Sequence, residues 1–266
     1  MTPASALAIA RASWLEDVAD RAWFFFARVR NVTIMLSFFF LWSALFQDRA
    51  RFLGYSRAEM LTYVLGMSVL RALVLASRTG EIPSDINTGR LAAWLLRPFG
   101  YRSLCLLRDV SDKLLHLVSA FVEVGVLVLL FHPVLALPSS PARWLGVAVA
   151  VAGAAFVYFQ MSFLVGCAGF WTAESVGPRF CFELFLEFAA GAFFPLDVLP
   201  QGIRDILHLS PFPLLIYEPL QVLMGRMDAA GLAGLLARQT AWALALAAAG
   251  TWAWRRGLRD YTATGG

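Results

Sequence analysis

Between Trp144 and Ala173 the chain runs for 30 residues without a charge. A helix of that length rises about 45 Å, more than the roughly 30 Å hydrocarbon core of a bilayer. Several shorter apolar runs accompany it. Hydrophobic residues make up 59% of the 266 and charged residues 15%, against about 45–50% and 25% in soluble domains. Inside a bilayer every backbone amide must be paired within the protein, which a helix does by itself. The expected fold is therefore an all-α integral membrane protein, with one transmembrane domain covering the chain.

Six transmembrane helices are predicted, over residues 31–47, 58–77, 104–131, 144–172, 180–195 and 237–255. Six crossings leave both termini on one side. With the termini inside, the inner segments hold thirteen basic residues and the outer segments seven. Cytoplasmic loops carry the excess of arginine and lysine, so both termini are expected to be cytoplasmic. Before the first span, residues 11–30 read as an amphipathic helix. Trp14, Val18, Ala22, Phe25 and Val29 recur at spacings of three and four among charged residues, as in a helix lying in the membrane interface. An extension of the first span is the alternative. The opening MTPASALAIARASW lacks the charged start and long apolar core of a cleaved signal, so the first span is expected to stay as an anchor.

Phe193–Arg226 holds five prolines: Pro195, Pro200, Pro211, Pro213 and Pro219. A straight spanning helix does not tolerate that density. Its leucines and isoleucines are too many for a solvated loop. Short broken helices on the outer side before the last span fit both facts, because irregular backbone survives at membrane depth only where protein covers it. An ordinary outer loop with a small core is the alternative.

Several chemistries are excluded. A phosphate-binding loop, GxxxxGK[ST], needs a lysine after glycine; the sole lysine, Lys113, follows Asp112. The chain cannot bind ATP that way. His116, His132 and His208 are far apart and fit no HExxH pattern, and no GxSxG is present. Cys105, Cys167 and Cys181 form no CxxC pair, which argues against a disulfide framework or a zinc site. No catalytic residue, metal or cofactor is expected on this chain. The net charge is +4, but the arginines are scattered between apolar runs, so nucleic acid is not an expected partner.

Ionisable residues inside predicted spans mark candidate functional positions. Glu183 and Glu187 are four apart and share a helix face. Arg179, four before Glu183, is placed to pair with it, while Glu187 either stabilises the helix or faces a cavity. Glu123 in the third span either lines a pore or pairs with a buried partner such as Arg71. Asp109, Asp112 and Lys113 read as an ion-paired helix start at the inner boundary.

The connection between the second and third spans, Glu81–Pro98, reads EIPSDINTGRLAAWLLRP. An apolar block, Leu91–Leu96, sits between Arg90 and Arg97. The arginine count places this segment in the cytoplasm. Helical spacing groups Leu91, Trp94 and Leu95 into an apolar ridge.

Four groups of residues share an order with a known family. They are Leu41-Trp42-Ser43-Ala44-Leu45-Phe46 with Gly54-Tyr55-Ser56 and Glu59-Met60-Leu61; Ile86, Gly89, Leu91 and Leu95-Leu96-Arg97-Pro98; Ala168-Gly169-Phe170-Trp171; and Phe194-Pro195-Leu196, Leu199-Pro200, Pro211-Phe212, Pro219 and Gly225-Arg226. Over residues 32–226 the chain resembles permease subunits of ATP-binding-cassette exporters of the second class, the six-span subfamily with a separate ATPase. The resemblance implies a permease, itself no enzyme, that pairs with a second copy or a sister permease in a bacterial plasma (inner) membrane. A dimer of cytoplasmic ATPase subunits, which hold the ATP and magnesium, would drive it. It implies a coupling helix at residues 85–97, with Asp85, Gly89, Arg90, Leu91, Trp94, Leu95 and Arg97 as the ATPase-contacting set. It also implies a translocation path along the first and fifth spans, with Phe38, Phe39, Trp42, Glu183 and Glu187 as lining residues. A membrane enzyme acting on lipid and a secondary transporter or channel are the competing readings. The absence of an internal repeat weakens the second.

Overall fold

A computed structural model describes residues 21–97, 100–172, 174 and 176–261. It is helical almost throughout. Helix α1, Arg21–Leu45, is unbroken, so residues 21–30 extend the first span and make no separate interfacial helix; residues 11–20 lie outside the described part. A two-stranded hairpin follows, β1 Arg51–Phe52 against β2 Tyr55–Ser56. The helical reading missed it, because Asp48–Arg57 carries no apolar alternation long enough to announce strands.

Helix α2, Arg57–Leu70, starts on a capping box. The Ser56 hydroxyl accepts from the Glu59 amide at 3.2 Å, and the Ser56 amide donates to the Glu59 carboxylate at 2.7 Å; two amides that lack helical partners are thereby satisfied. It ends in a wider π turn, Arg71–Leu75. Two short helices follow, α3 Ile82–Asn87 and α4 Arg90–Leu95, and then the long helix α5, Tyr101–Phe131. Helix α6, Pro141–Gly166, runs into a 3-10 turn, Cys167–Phe170. Helix α7 is Val176–Ala189; α8, Gln201–His208, and α9, Tyr217–Leu223, lead to the final helix α10, Ala229–Asp260.

Five helices are long and apolar enough to cross a membrane, or six if the bent pair around α8 and α9 is counted as one span. The predicted fifth span, 180–195, is where the structure departs from expectation. Helix α7 has 14 residues, about 21 Å, and stops at Ala189; residues 190–195 turn. Its successor, Phe193–Arg226, is indeed broken, with a 74° bend between Gln201–His208 and Phe212–Leu223. Pro211 and Pro213 supply the physical cause, since neither can donate the amide that would continue a helix.

The most extensive helix–helix packing is between α6 and α10. Small residues, Ala150, Ala154, Ala243 and Gly250, are buried along it, which lets two backbones approach in a medium that provides no hydrophobic drive between helices. Gln239, 2% exposed, donates to the carbonyls of Ala150 at 2.9 Å and Leu214 at 3.1 Å. One side-chain amide thus ties α10 to α6 and to the broken segment. The largest core cluster joins Trp42, Tyr63, Tyr158, Leu196, Tyr217 and Leu220 at the hairpin end. A second, around Leu91, Phe159 and Phe163, lies at the α3–α4 end.

Candidate functional site

The two ends of the bundle and the cavity between them carry distinct arrangements. At the α3–α4 end the chain forms an elbow packed against the bundle. Ser77 caps the turn that opens it, accepting from the Thr79 amide at 3.3 Å, and Pro83 in the first turn of α3 favours helix initiation. Helix α3 ends at Gly89, whose φ of +74° is the left-handed conformation that glycine adopts without a Cβ penalty. The chain then turns directly into α4.

Ile82, Ile86 and Leu91 are buried against Phe159, Phe163 and Cys167 of α6 and its 3-10 turn. Gly169 makes this possible, since a Cβ there would lie 2.6 Å from Pro83 Cα. The Phe170 ring occupies the space a Cβ at Gly257 of α10 would need, and its centroid is 5.3 Å from that of Trp254. Tyr101 stacks on Trp254 at 5.1 Å and donates to the Asp85 carboxylate at 2.7 Å. Helices α3, α5, α6 and α10 therefore meet around this elbow.

This placement revises the expected ridge. Leu91 is fully buried and Asp85 is 6% exposed, so neither is a surface contact. Asp85 is held by Tyr101 and by Arg90 at 3.1 Å. Trp94 packs on the second core cluster and lies under the Arg97 guanidinium at 4.3 Å. The exposed apolar corner is Leu95 and Leu96, at 43% and 89%, rimmed by exposed Arg90 and Arg97. Leu96 was not singled out in the sequence, because helical spacing from Leu91 points past it. The left-handed break at Gly89 shifts which face is outward.

The second arrangement is a cavity of about 300 Å³ between α1, α2, α5 and α7. Arg28, Arg71, His116, Glu123 and Glu187 line it. Arg71 donates to Glu187 at 2.6 Å and Arg28 to Glu123 at 3.3 Å. Glu123 thus pairs with Arg28 and not with Arg71. These partners lie 95 and 116 residues apart in the chain, and no spacing rule brings them together. Arg71 opens the π turn, a feature frequently found at functional positions in helices. Glu187 faces this cavity; Glu183, outside its lining, pairs with Arg179 at 2.7 Å.

The aromatic candidates fare differently. Phe39 and Trp42 are buried in the packing of the chain itself, and Phe38 is half-buried, its ring 6.3 Å from that of Phe193. None of the three lines this cavity. Lys113 pairs with Asp109 at 3.2 Å and donates to the carbonyl of Val74 at 3.3 Å and to that of Ala76. It closes the end of the π turn, where carbonyls lack helical partners. Asp112 pairs with Arg78 of the following turn. All three of these charges on α5 are therefore held by partners within the chain.

At the hairpin end, Tyr55 and Tyr217 both donate to Asp197, Tyr217 at 2.7 Å. Burial pushes the Tyr55 phenol up, and its bond to Asp197 adds to the shift. The Gln221 amide donates to Tyr55 at 2.8 Å, and the Arg226 guanidinium lies 4.0 Å over the Tyr55 ring. Glu218, 2% exposed, accepts two bonds from Arg238, at 2.7 and 2.6 Å, with His208 at 3.3 Å. This network binds the broken segment to the hairpin and to α10. Among the described residues no group of three or more His, Cys, Asp or Glu is arranged to hold a metal ion.

Apolar helices in this number define a multi-pass membrane protein. The model of the family described as ABC-2 family transporter protein matches residues 32–265, and the chain belongs to that family. Comparison with curated proteins and with solved structures found no match.

Proposed function

We propose that the chain is the permease subunit of an ATP-driven exporter, working as a dimer with a second copy or a sister permease over a pair of cytoplasmic ATPases. The observation that supports this reading best is the elbow, in a chain of this family. It presents an exposed Leu95–Leu96 corner with flanking arginines on a base fixed by Leu91, Ile82 and Ile86. A corner that is apolar, exposed and rigidly backed suits a groove in a partner, where one or two anchors carry most of the affinity.

In this reading both termini and the elbow face the cytoplasm of a bacterium, and the hairpin and broken segment face outward across the inner membrane. Six crossings are completed by the short α7 together with the turn beyond it. ATP and magnesium stay in the ATPase, and this chain does no chemistry. Closure of the ATPase pair would move α3–α4, and with it the ends of α6 and α10, so that the path between the two permeases changes face. Helices α1 and α7 are the proposed walls of that path. Arg71 and Glu187 replace the buried aromatics as the residues best placed to meet a substrate.

The test is coexpression of the tagged chain with an ATP-binding-cassette ATPase subunit. The reading expects the pair to copurify and the permease to stimulate ATP hydrolysis. A chain that acts on lipid, or exchanges solute against an ion gradient, with no ATPase bound would refute it.

A further inference from the structure

The arginines of the last span look like a simple stop in the sequence, but the helix sorts them. Arg255, Arg256 and Arg259 fall on one face of α10, with Trp252 and Ala248 one and two turns before them at helical spacing. Together with Ala247 and Thr251 they border an open groove along the surface of α10, to which no other helix contributes a lining residue. All three arginines are exposed, and none makes an ion pair with a described residue. Trp252 is 67% exposed, and the same face continues to Leu244 at 68%. Behind the groove, Arg102 of α5 donates to the Thr251 hydroxyl at 2.7 Å and to the Ala247 carbonyl at 3.2 Å, fixing that wall and adding positive charge.

The face therefore changes character along its length. It begins with an apolar side chain and small residues, passes an aromatic ring, and ends in three guanidinium groups. From Ala247 to Arg259 this is about 18 Å. That sequence matches a phospholipid read from its acyl chain to its phosphate. Tryptophan settles at the boundary between tail and headgroup, and arginine presents a planar fork that bonds two phosphate oxygens at once. A soluble acidic partner would meet the arginines but not Ala247 and Ala248, which lie a further turn or more inside the span.

We propose that this groove binds an anionic phospholipid. Its phosphate sits among Arg255, Arg256 and Arg259, Trp252 lies at the glycerol level, and an acyl chain runs over Ala247 and Ala248. The assignment does not depend on which substrate the permease carries.

The experiment uses the full chain extracted from mixed vesicles of phosphatidylcholine and phosphatidylglycerol, with retained lipids counted by native mass spectrometry. The wild-type chain is expected to retain phosphatidylglycerol over phosphatidylcholine. The triple variant R255Q/R256Q/R259Q is expected to lose that preference by roughly fivefold per arginine. Ala248→Trp fills the apolar half at an exposed position and leaves the charges intact. It is expected to lower retained phosphatidylglycerol as well, and serves if the triple variant fails to fold. An excess of inorganic phosphate is expected to displace nothing. Unchanged preference in both variants overturns the proposal. So does displacement by inorganic phosphate, which would mark a free-anion site. A triple variant that keeps its lipid but loses a copurifying ATPase would show the stripe to be a protein contact and also overturn it.

Discussion

Gly169→Ala is the most direct probe of how the elbow is tied to the spans. A Cβ at this position would lie 2.6 Å from Pro83 Cα, 3.0 Å from Pro83 Cβ and 3.3 Å from Ile86 Cδ1. Pro83 Cα is backbone, and the ring fixes its φ, so no rotamer change relieves the contact. Helix α3 must move away from the end of α6 by several tenths of an ångström. Overpacking of this kind costs about 1–3 kcal/mol. Gly234→Ala is the same chemical change with the opposite expectation. Gly234 lies inside α10 with nothing within 4 Å of its would-be Cβ, and replacing a helix-interior glycine by alanine gains about 0.5–1 kcal/mol. The unfolding midpoints of the two variants in detergent micelles should therefore move in opposite directions. If both rise, or if Gly169→Ala is neutral, α3 does not rest on the end of α6 and the elbow is no lever.

Three further predictions concern the exposed corner of the elbow and the other arrangements. Leu96→Asp alters a side chain 89% exposed, so membrane insertion and unfolding midpoint should stay unchanged, as for ordinary surface positions. Permease-dependent stimulation of ATP hydrolysis should fall at least about tenfold, which corresponds to 1.4 kcal/mol of lost contact. Arg238→Ala leaves the Glu218 carboxylate buried with only His208 beside it. Stranding a buried charge should destabilise the chain by about 3 kcal/mol, and the additional change Glu218→Gln should recover part of the loss in the same thermal assay. Arg71→Ala and Glu187→Ala share one ion pair, so a double-mutant cycle should give a coupling of about 1–3 kcal/mol; additive losses would mean the pair is not formed.

Much of this architecture is legible in the sequence, because a bilayer imposes length and hydropathy on each segment independently of the others. The uncharged run from Trp144 needs no partner to be recognised as a span. The prolines from Pro195 to Pro219 break helices by a local mechanism, and the broken segment follows. What the sequence hides is pairing over distance. Tyr55 and Asp197 are 142 residues apart, and Arg28 and Glu123 are 95 apart. The true length of α7 was hidden too, since Ala190–Pro195 is as apolar as a helix end and only the turn shows where it stops. The elbow was half legible. Its polarity and place in the chain marked it out, but the left-handed Gly89 decides that Leu91 is a core residue and Leu96 the exposed one.

The most direct test of the account is a photoreactive residue placed at Leu96, with the same substitution at Val134 at the opposite end of the bundle as its control. Val134 is 76% exposed, so both sites are free to react. The account predicts that irradiation of the assembled complex links Leu96 to an ATPase subunit and leaves Val134 without that product. An ATPase adduct at Val134, or its absence at Leu96 in a complex that still hydrolyses ATP, would contradict it.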